Sequence, residues 1–156
     1  MNLCVMDLSP LLTAHLSVDW LDTVVATDAS TVGMGVVATT LSPMDSERSL
    51  GEVRWSTIVS RRWDYEEHIN VLECRAVVTA VRWLLSKPRS LHSRVFLLSD
   101  SQVVVGAVSK GRSSSFQILT RLRSLSAMVV AGSVKLYLRW IPSHVNPADR
   151  AAIGGF

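Results

Sequence analysis

The period of apolar and polar positions changes several times along the chain, and each change marks an element. Val24 to Thr27 is a short apolar run and Gly33 to Thr40 a second, joined by the turn-forming Asp28-Ala29-Ser30-Thr31 segment. From Gly51 onward Val53, Trp55 and Thr57 alternate with Glu52, Arg54 and Ser56, the two-residue period of a strand with one solvated face. Three successive strands on short links read as an antiparallel meander. Residues 60–69 are charged and aromatic; Asn70 then opens a helix in which Val77, Ala80, Val81 and Leu84 recur at helical spacing, and Pro88 stops it. Val95 to Leu98 reads as a buried strand. Ser101 to Lys110 reads as a helix with Val104, Val105 and Val108 inward and Gly111 as its terminator. A further helix from about Ser115 to Ala131 gathers Ile118, Leu122, Leu125 and Val129 on one face. Val134, Leu136, Leu138 and Trp140 alternate with Lys135, Tyr137 and Arg139 as a last strand, after which Asn146-Pro147 starts a final helical turn. The order predicts an α/β fold: a mixed five-stranded sheet, three antiparallel strands and then parallel ones, flanked by helices. Residues 1–22 contain Pro10 and no sustained period, so they read as a lead-in or linker with at most one short helix, and the organised domain is expected over residues 23–156.

Composition narrows this picture slightly. At 156 residues and 48% apolar, the chain suffices for one domain with a real core and is too short for two. A net charge of +3, from 16 basic and 13 acidic residues, mildly favours an acidic partner without naming one. Cys4 and Cys74 lie far apart with no metal-ligand or redox spacing, which fits reduced thiols and an intracellular setting, cytoplasmic or nuclear. No basic stretch followed by an apolar core opens the chain, and no apolar run approaches the roughly 18 residues of a membrane span. Secretion and membrane insertion are therefore not expected.

Four acids change the picture more. Asp28 and Asp100 end apolar runs, whereas Glu73 and Asp149 fall in the first turn of predicted helices, all at the sheet edge where α/β sites gather. Each also has a local explanation. Asn70 with Glu73 fits a capping box, Asp100 a helix N-cap, Asn146 with Asp149 a second cap pair, and Asp28 a turn. As a set these explanations weaken, because caps have no reason to follow strand ends that lie side by side. Converging carboxylates repel one another and are tolerated chiefly where hard divalent cations neutralise them. Two Mg²⁺ ions about 3.5 to 4 Å apart would serve phosphodiester hydrolysis, activating a water and stabilising the departing oxygen. His144, on the loop leaving the last strand, is either a plain surface residue or, beside such a cluster, a proton carrier.

Other features are quieter. Gly33-x-Gly35 sits in a strand and reads as a close backbone approach rather than a phosphate cradle. Trp55, Trp63 and Trp83 read as core or rim, and Ser99, Ser101 and Ser143 lack triad partners.

Five patterns stand in order along the chain: Thr27-Asp28-Ala29-Ser30-x-x-Gly33-x-Gly35, His68-Ile69-Asn70-x-Leu72-Glu73-x-x-Ala76-Val77, Ser99-Asp100-Ser101-Gln102, Lys110-Gly111-Arg112-Ser113-Ser114, and Trp140-Ile141-Pro142-Ser143-His144-x-Asn146-Pro147-Ala148-Asp149. Over about residues 24–152 the chain resembles the ribonuclease H family, and within it the ribonuclease H domain of retroelement reverse transcriptases. The last two patterns are similar to those of tyrosine-recombinase-type and related retrotransposons. The resemblance implies a ribonuclease H-like fold and endonucleolytic cleavage of the RNA strand in RNA/DNA hybrids, leaving 3′-hydroxyl and 5′-phosphate ends. It implies that Asp28, Glu73, Asp100 and Asp149 hold two Mg²⁺ or Mn²⁺ ions and that His144 assists turnover. It places Asn70 at the minor groove of the hybrid and Gln102 beside the RNA strand, with Ser30, Lys110 and Arg112 completing the substrate contacts and Arg121 and Arg123 nearby. The implied partners are the hybrid itself and an adjoining polymerase domain in a parent polyprotein, from which this chain would be a fragment.

Two alternatives remain at this stage. One is a catalytically inactive relative that binds hybrid or tethers a polymerase, against which the presence of all four acids argues. The other is an integrase or resolvase, whose acids follow a different order. The chain also departs from the retroelement pattern, since Arg150-Ala151-Ala152-Ile153-Gly154-Gly155-Phe156 replaces the Ser-Arg pair usual a few residues after the last acid. A truncated, fraying terminal helix that holds Asp149 loosely is the expectation. The short link between Lys110 and Ser115 lacks the basic protrusion of some cellular members, so the isolated domain is expected to bind hybrid feebly.

Overall fold

The computed structural model describes residues 20–41 and 48–154; expectations for residues 1–19 lie outside this range. Five strands, β1 Trp20–Ala29, β2 Gly33–Thr40, β3 Ser56–Arg62, β4 Arg94–Ser99 and β5 Lys135–Trp140, form one sheet in the order β3-β2-β1-β4-β5. The β1–β2 and β2–β3 pairs are antiparallel, while β1–β4 and β4–β5 are parallel. The helices are α1 Ile69–Leu85, α2 Gln102–Lys110, α3 Phe116–Ala131 and the single turn α4 Asp149–Ala152. This is the mixed sheet and element order expected from the periodicities.

Alternation along β1 divides the core in two. Val25 faces α1 and packs with Val77, Val81, Leu84, Leu97 and, from α3, Ile118 and Leu122. Val24 and Ala26 face the opposite side, where Leu50, Val53, Ile141, Ala148 and Ala151 cover the sheet. Residue pattern and layer agree because a strand buried on both faces needs apolar residues at consecutive positions.

Several boundaries differ from expectation, each for a physical reason. The alternating stretch from Gly51 to Trp55 is a loop, and β3 begins only at Ser56. Val53 is buried against the second face and the Trp55 indole N–H donates to the Leu50 carbonyl at 3.0 Å, so that alternation reflects a loop packed on the sheet. β3 itself is an edge strand, Ser-Thr-Ile-Val-Ser-Arg-Arg, with no fully buried residue and therefore little apolar signal. β1 begins at Trp20, inside the expected lead-in. The cap of α1 is His68, whose Nδ1 accepts from the Asn70 N–H at 3.2 Å, so Asn70 and Glu73 form no capping box. Ser101, not Asp100, caps α2, its hydroxyl accepting from the Val104 N–H. Gly111 ends α2 in the left-handed region at φ 65°, as expected. Among the described residues no helix is long and apolar enough to cross a membrane.

Candidate active site

The parallel pairing of β1 with β4 places Thr27 opposite Ser99, so Asp28 and Asp100 leave neighbouring strands at the same end, one residue further on. α1 crosses this face of the sheet, and its inward side carries Glu73, 7% exposed, down onto the same spot. One carboxylate oxygen from each of Asp28, Glu73 and Asp100 lies within 4.8 Å of the others. The Ala29 N–H donates to Asp28 Oδ1 at 2.9 Å, and the Trp140 indole N–H donates to the Asp100 carbonyl at 3.0 Å, so both chain segments are held from the side. Glu73 Oε2 and Asp100 Oδ1 are buried and accept no hydrogen bond.

Burial and mutual repulsion reach both titrations. Burial, then the Asp100 and Asp149 charges, pushes the Asp28 carboxyl up to about 7, against the opposing pull of the Ala29 N–H. Burial, then the charges of Asp28 and Asp100, pushes Glu73 up to about 9. Orphaned buried carboxylate oxygens are costly unless something cationic meets them. A compact set of hard oxygen donors fits Mg²⁺ or Mn²⁺ better than a softer ion.

The fourth acid arrives by a different route. Asp149 is exposed at the start of α4 and stands outside the tight group of three, yet its charge acts on Asp28. The buried Asn146 fixes its position: Nδ2 donates to the Thr27 carbonyl and Oδ1 accepts from the Ala148 N–H, both at 3.0 Å. Asn146 therefore closes its own turn rather than capping a helix with Asp149. α4 then lies backbone-first on the meander. The Ser30 hydroxyl donates to the Ala152 carbonyl at 2.9 Å and the Ser60 hydroxyl to the Ala151 carbonyl at 2.7 Å. A Cβ on Gly35 would stand 2.5 Å from the Ala148 carbonyl oxygen, so only glycine permits this approach. The close backbone approach read from Gly33-x-Gly35 is present, and the terminal helix is a single turn, docked by hydroxyls, by Asn146 and by the buried Ala148, Ala151 and Ala152.

The remaining candidates divide. His144, in the 3-10 turn Ser143–Val145, is exposed and lines with Asp149 and Arg150 a depression of about 430 Å³. Asn70, half-buried, lies one helical turn before Glu73 on the same face of α1. Gln102 is exposed at the first position of α2, two residues past Asp100. Lys110 and Arg112 are exposed at the far end of α2, roughly 12 Å of helical rise from Gln102, and are not brought to the carboxylates. Ser30 stands beside Asp28, but its hydroxyl serves the hairpin, accepting from the Val32 and Gly33 N–H groups at 3.1 Å while it reaches Ala152. Trp55, Trp63 and Trp83 are half-buried rim residues. Ser60 gave no signal in the sequence, because its role depends on a helix about ninety residues away.

The sequence matches no protein-family model, and no curated protein matches it. Solved structures do. LC11-RNase H1, isolated from compost, is similar at 20% identity and a TM-score of 0.64, over 83% of this chain and 91% of that one. This is the ribonuclease H fold. The N-terminal RNase H domain of rv2228c from Mycobacterium tuberculosis shares the fold at 18% identity and a TM-score of 0.58, over 84% of this chain and 95% of that chain. The prototype foamy virus protease-reverse transcriptase shares it at 17% identity and a TM-score of 0.53; there 85% of this chain spans about a fifth (20%) of the viral one. LC11-RNase H1 is also known in complex with an RNA/DNA hybrid, at 16% identity and a TM-score of 0.60 over 83% of this chain and 92% of that one. Within the ribonuclease H fold of this chain, Asp28, Glu73 and Asp100 come from two strand ends and one helix that the topology forces together.

Proposed function

We propose that this domain is a divalent-metal-dependent ribonuclease H that cleaves the RNA strand of RNA/DNA hybrids, as the nuclease part of a retroelement reverse transcriptase. The observation that carries the reading is the meeting of Asp28, Glu73 and Asp100 within 4.8 Å, with orphaned oxygens on two of them. Two buried carboxylates and a half-buried one stabilise nothing by themselves, so their retention calls for cations to fill the space between them. Held by these carboxylates, Mg²⁺ or Mn²⁺, two ions per site, would supply an activated water and neutralise charge on the departing 3′ oxygen.

The chain's own residues do the rest. Asp28, Glu73 and Asp100 hold the ions, with Asp28 and Asp100 at the centre, and Asp149 completes the set from the rim. His144, beside Asp149, carries a proton as product leaves. Asn70, one helical turn before Glu73, and Gln102, two residues past Asp100, carry amides that can both donate to and accept from 2′-hydroxyls, the groups that distinguish RNA from DNA. Ser30 sits at the edge of the site, and Lys110 and Arg112 add phosphate contacts further along the duplex. The hybrid-bound relative supports a hybrid as substrate, and the foamy virus enzyme supports a polymerase adjoining this domain in a longer chain. An intracellular location follows from that context.

A gel assay with labelled RNA/DNA hybrid, RNA duplex and DNA duplex, with and without Mn²⁺, tests the reading. Metal-dependent cutting of the RNA strand in the hybrid alone is expected; no cutting of any duplex, with no metal binding by calorimetry, sinks it.

A further inference from the structure

α1 does not cover its face of the sheet to the end. It stops at Leu85, and the chain turns away through the 3-10 turn Pro88–Ser90. On β1 and β2, Val25 and Ala38 belong to the core beneath α1, and two residues further toward the open end stand Thr23 and Thr40, paired across the strands. Ser56 lies opposite Ala38 on β3. Hydroxyls thus replace apolar side chains where the helical cover ends. They line a cavity of about 810 Å³ whose other walls carry Arg54, Lys87 and Arg89 and, among the described residues, no carboxylate, Asp22 standing behind Arg89. That volume lies within the usual range for ligand sites, about 300 to 1,000 Å³.

The cations are partly set in place. The Arg89 guanidinium is held by Asp22 Oδ1 at 2.7 Å and by the Thr23 hydroxyl at 2.9 Å, and the Lys87 ammonium lies 4.6 Å from the Trp83 ring centroid. The carbonyls at the end of α1 are occupied: Arg82 and Leu84 accept from the Ser86 and Lys87 N–H groups, and Trp83 accepts from the Ser86 hydroxyl. The partial negative charge of this helix end favours the Lys87 and Arg89 side chains beside it, and those cations have to outweigh it where an anion would sit. Thr23 and Asp28 are five residues apart on β1, roughly 17 Å, so this cavity is separate from the acids.

We infer that this cavity is a second site, selective for phosphate groups, carried either by a free nucleotide or by a nucleic-acid strand running past the domain. A guanidinium presents a fork that matches phosphate oxygens, an ammonium adds a point charge, and hydroxyls donate to the remaining oxygens. Arg54 and Lys87, neither paired with a carboxylate among the described residues, share one concave volume with the Asp22-paired Arg89 and suit a compact, multiply charged oxyanion. An acidic peptide would spread its carboxylates along a longer, flatter track.

The test is an NMR titration of the full chain in EDTA with three probes: inorganic pyrophosphate, adenosine 5′-triphosphate and a single-stranded pentadeoxynucleotide. Saturable shifts are expected at the Trp83 indole and at Thr23 and Thr40, with Asp28 and Asp100 unmoved. Arg54 and Lys87 are both exposed, so the Arg54→Gln, Lys87→Gln double variant should keep the fold while binding the probes at least about tenfold more weakly, and its salt slope should fall by up to about two. Binding of the triphosphate but not the oligonucleotide assigns a free nucleotide; binding of the oligonucleotide assigns a strand. No saturable shift from any probe at low salt, or a response only to a Glu-rich peptide, overturns the site. Asp28→Asn should leave these shifts unchanged, which separates this inference from the nuclease reading.

Discussion

Asp28 and Glu73 are the residues whose chemistry the fold alters most. Both carboxyls titrate above their unfolded values, so between the ordinary carboxylate range and about pH 9 the metal-free fold binds more protons than the unfolded chain. Stability from these groups is complete below the unfolded pKa values and is lost as pH rises through about 7 and then about 9. Thermal unfolding of the metal-free protein should therefore show Tm falling from pH 5 to pH 9. Asp28→Asn should flatten that decline and raise Tm at pH 8, since a like charge leaves the cluster, while hydrolysis and Mn²⁺ affinity drop at least about 100-fold. A variant that hydrolyses normally would refute the assignment of Asp28. Gly35 makes the opposite kind of prediction. Gly35→Ala forces a Cβ against the Ala148 carbonyl oxygen and the Ala152 nitrogen, at 2.5 and 2.7 Å, and should cost about 1 to 3 kcal/mol in urea unfolding. The acids were legible in the sequence because each stands at a punctuation point of the pattern. Their pKa values were not, since burial is a property of neighbours.

At the scale of elements, α4 is a single turn that holds by its backbone, and Asn146 is its latch. Asn146→Ala would leave the buried Thr27 carbonyl and the Ala148 N–H without partners, a loss of about 1 to 3 kcal/mol for each unpaired group. Chemical denaturation should register that loss, and calorimetry should show weaker Mn²⁺ binding as Asp149 drifts from Asp28; unchanged metal affinity would remove Asn146 from this positioning role. The long helices and the strands β2, β4 and β5 were read nearly to the residue because their periods repeat over many positions, whereas β1 extends four residues before the apolar run that marked it. β3 was misplaced because its own sequence is polar at an edge, while the loop before it imitates a strand by packing Val53 on the core. The caps were misassigned by one or two residues, to Asn70 for His68 and to Asp100 for Ser101, because several hydrogen-bonding side chains crowd each helix start.

The whole molecule links metal and fold. Cations that bind only the native cluster should raise stability by about 2.7 kcal/mol at a hundredfold excess over Kd, and the gain should grow from pH 6 to pH 9 as protons cease to compete. Differential scanning fluorimetry with Mn²⁺ across that range checks this, and Asp28→Asn should show no gain. Local repetition along the chain was enough to establish the element order, the mixed sheet and four candidate acids, because period and punctuation are written residue by residue. The arrangement of those acids was not written there. Three of them meet because parallel β1 and β4 end side by side under α1, the fourth stays at the rim on a backbone-docked turn, and a basic hollow opens where α1 stops short. Each depends on which surfaces cover which, and that is decided only when distant segments pack.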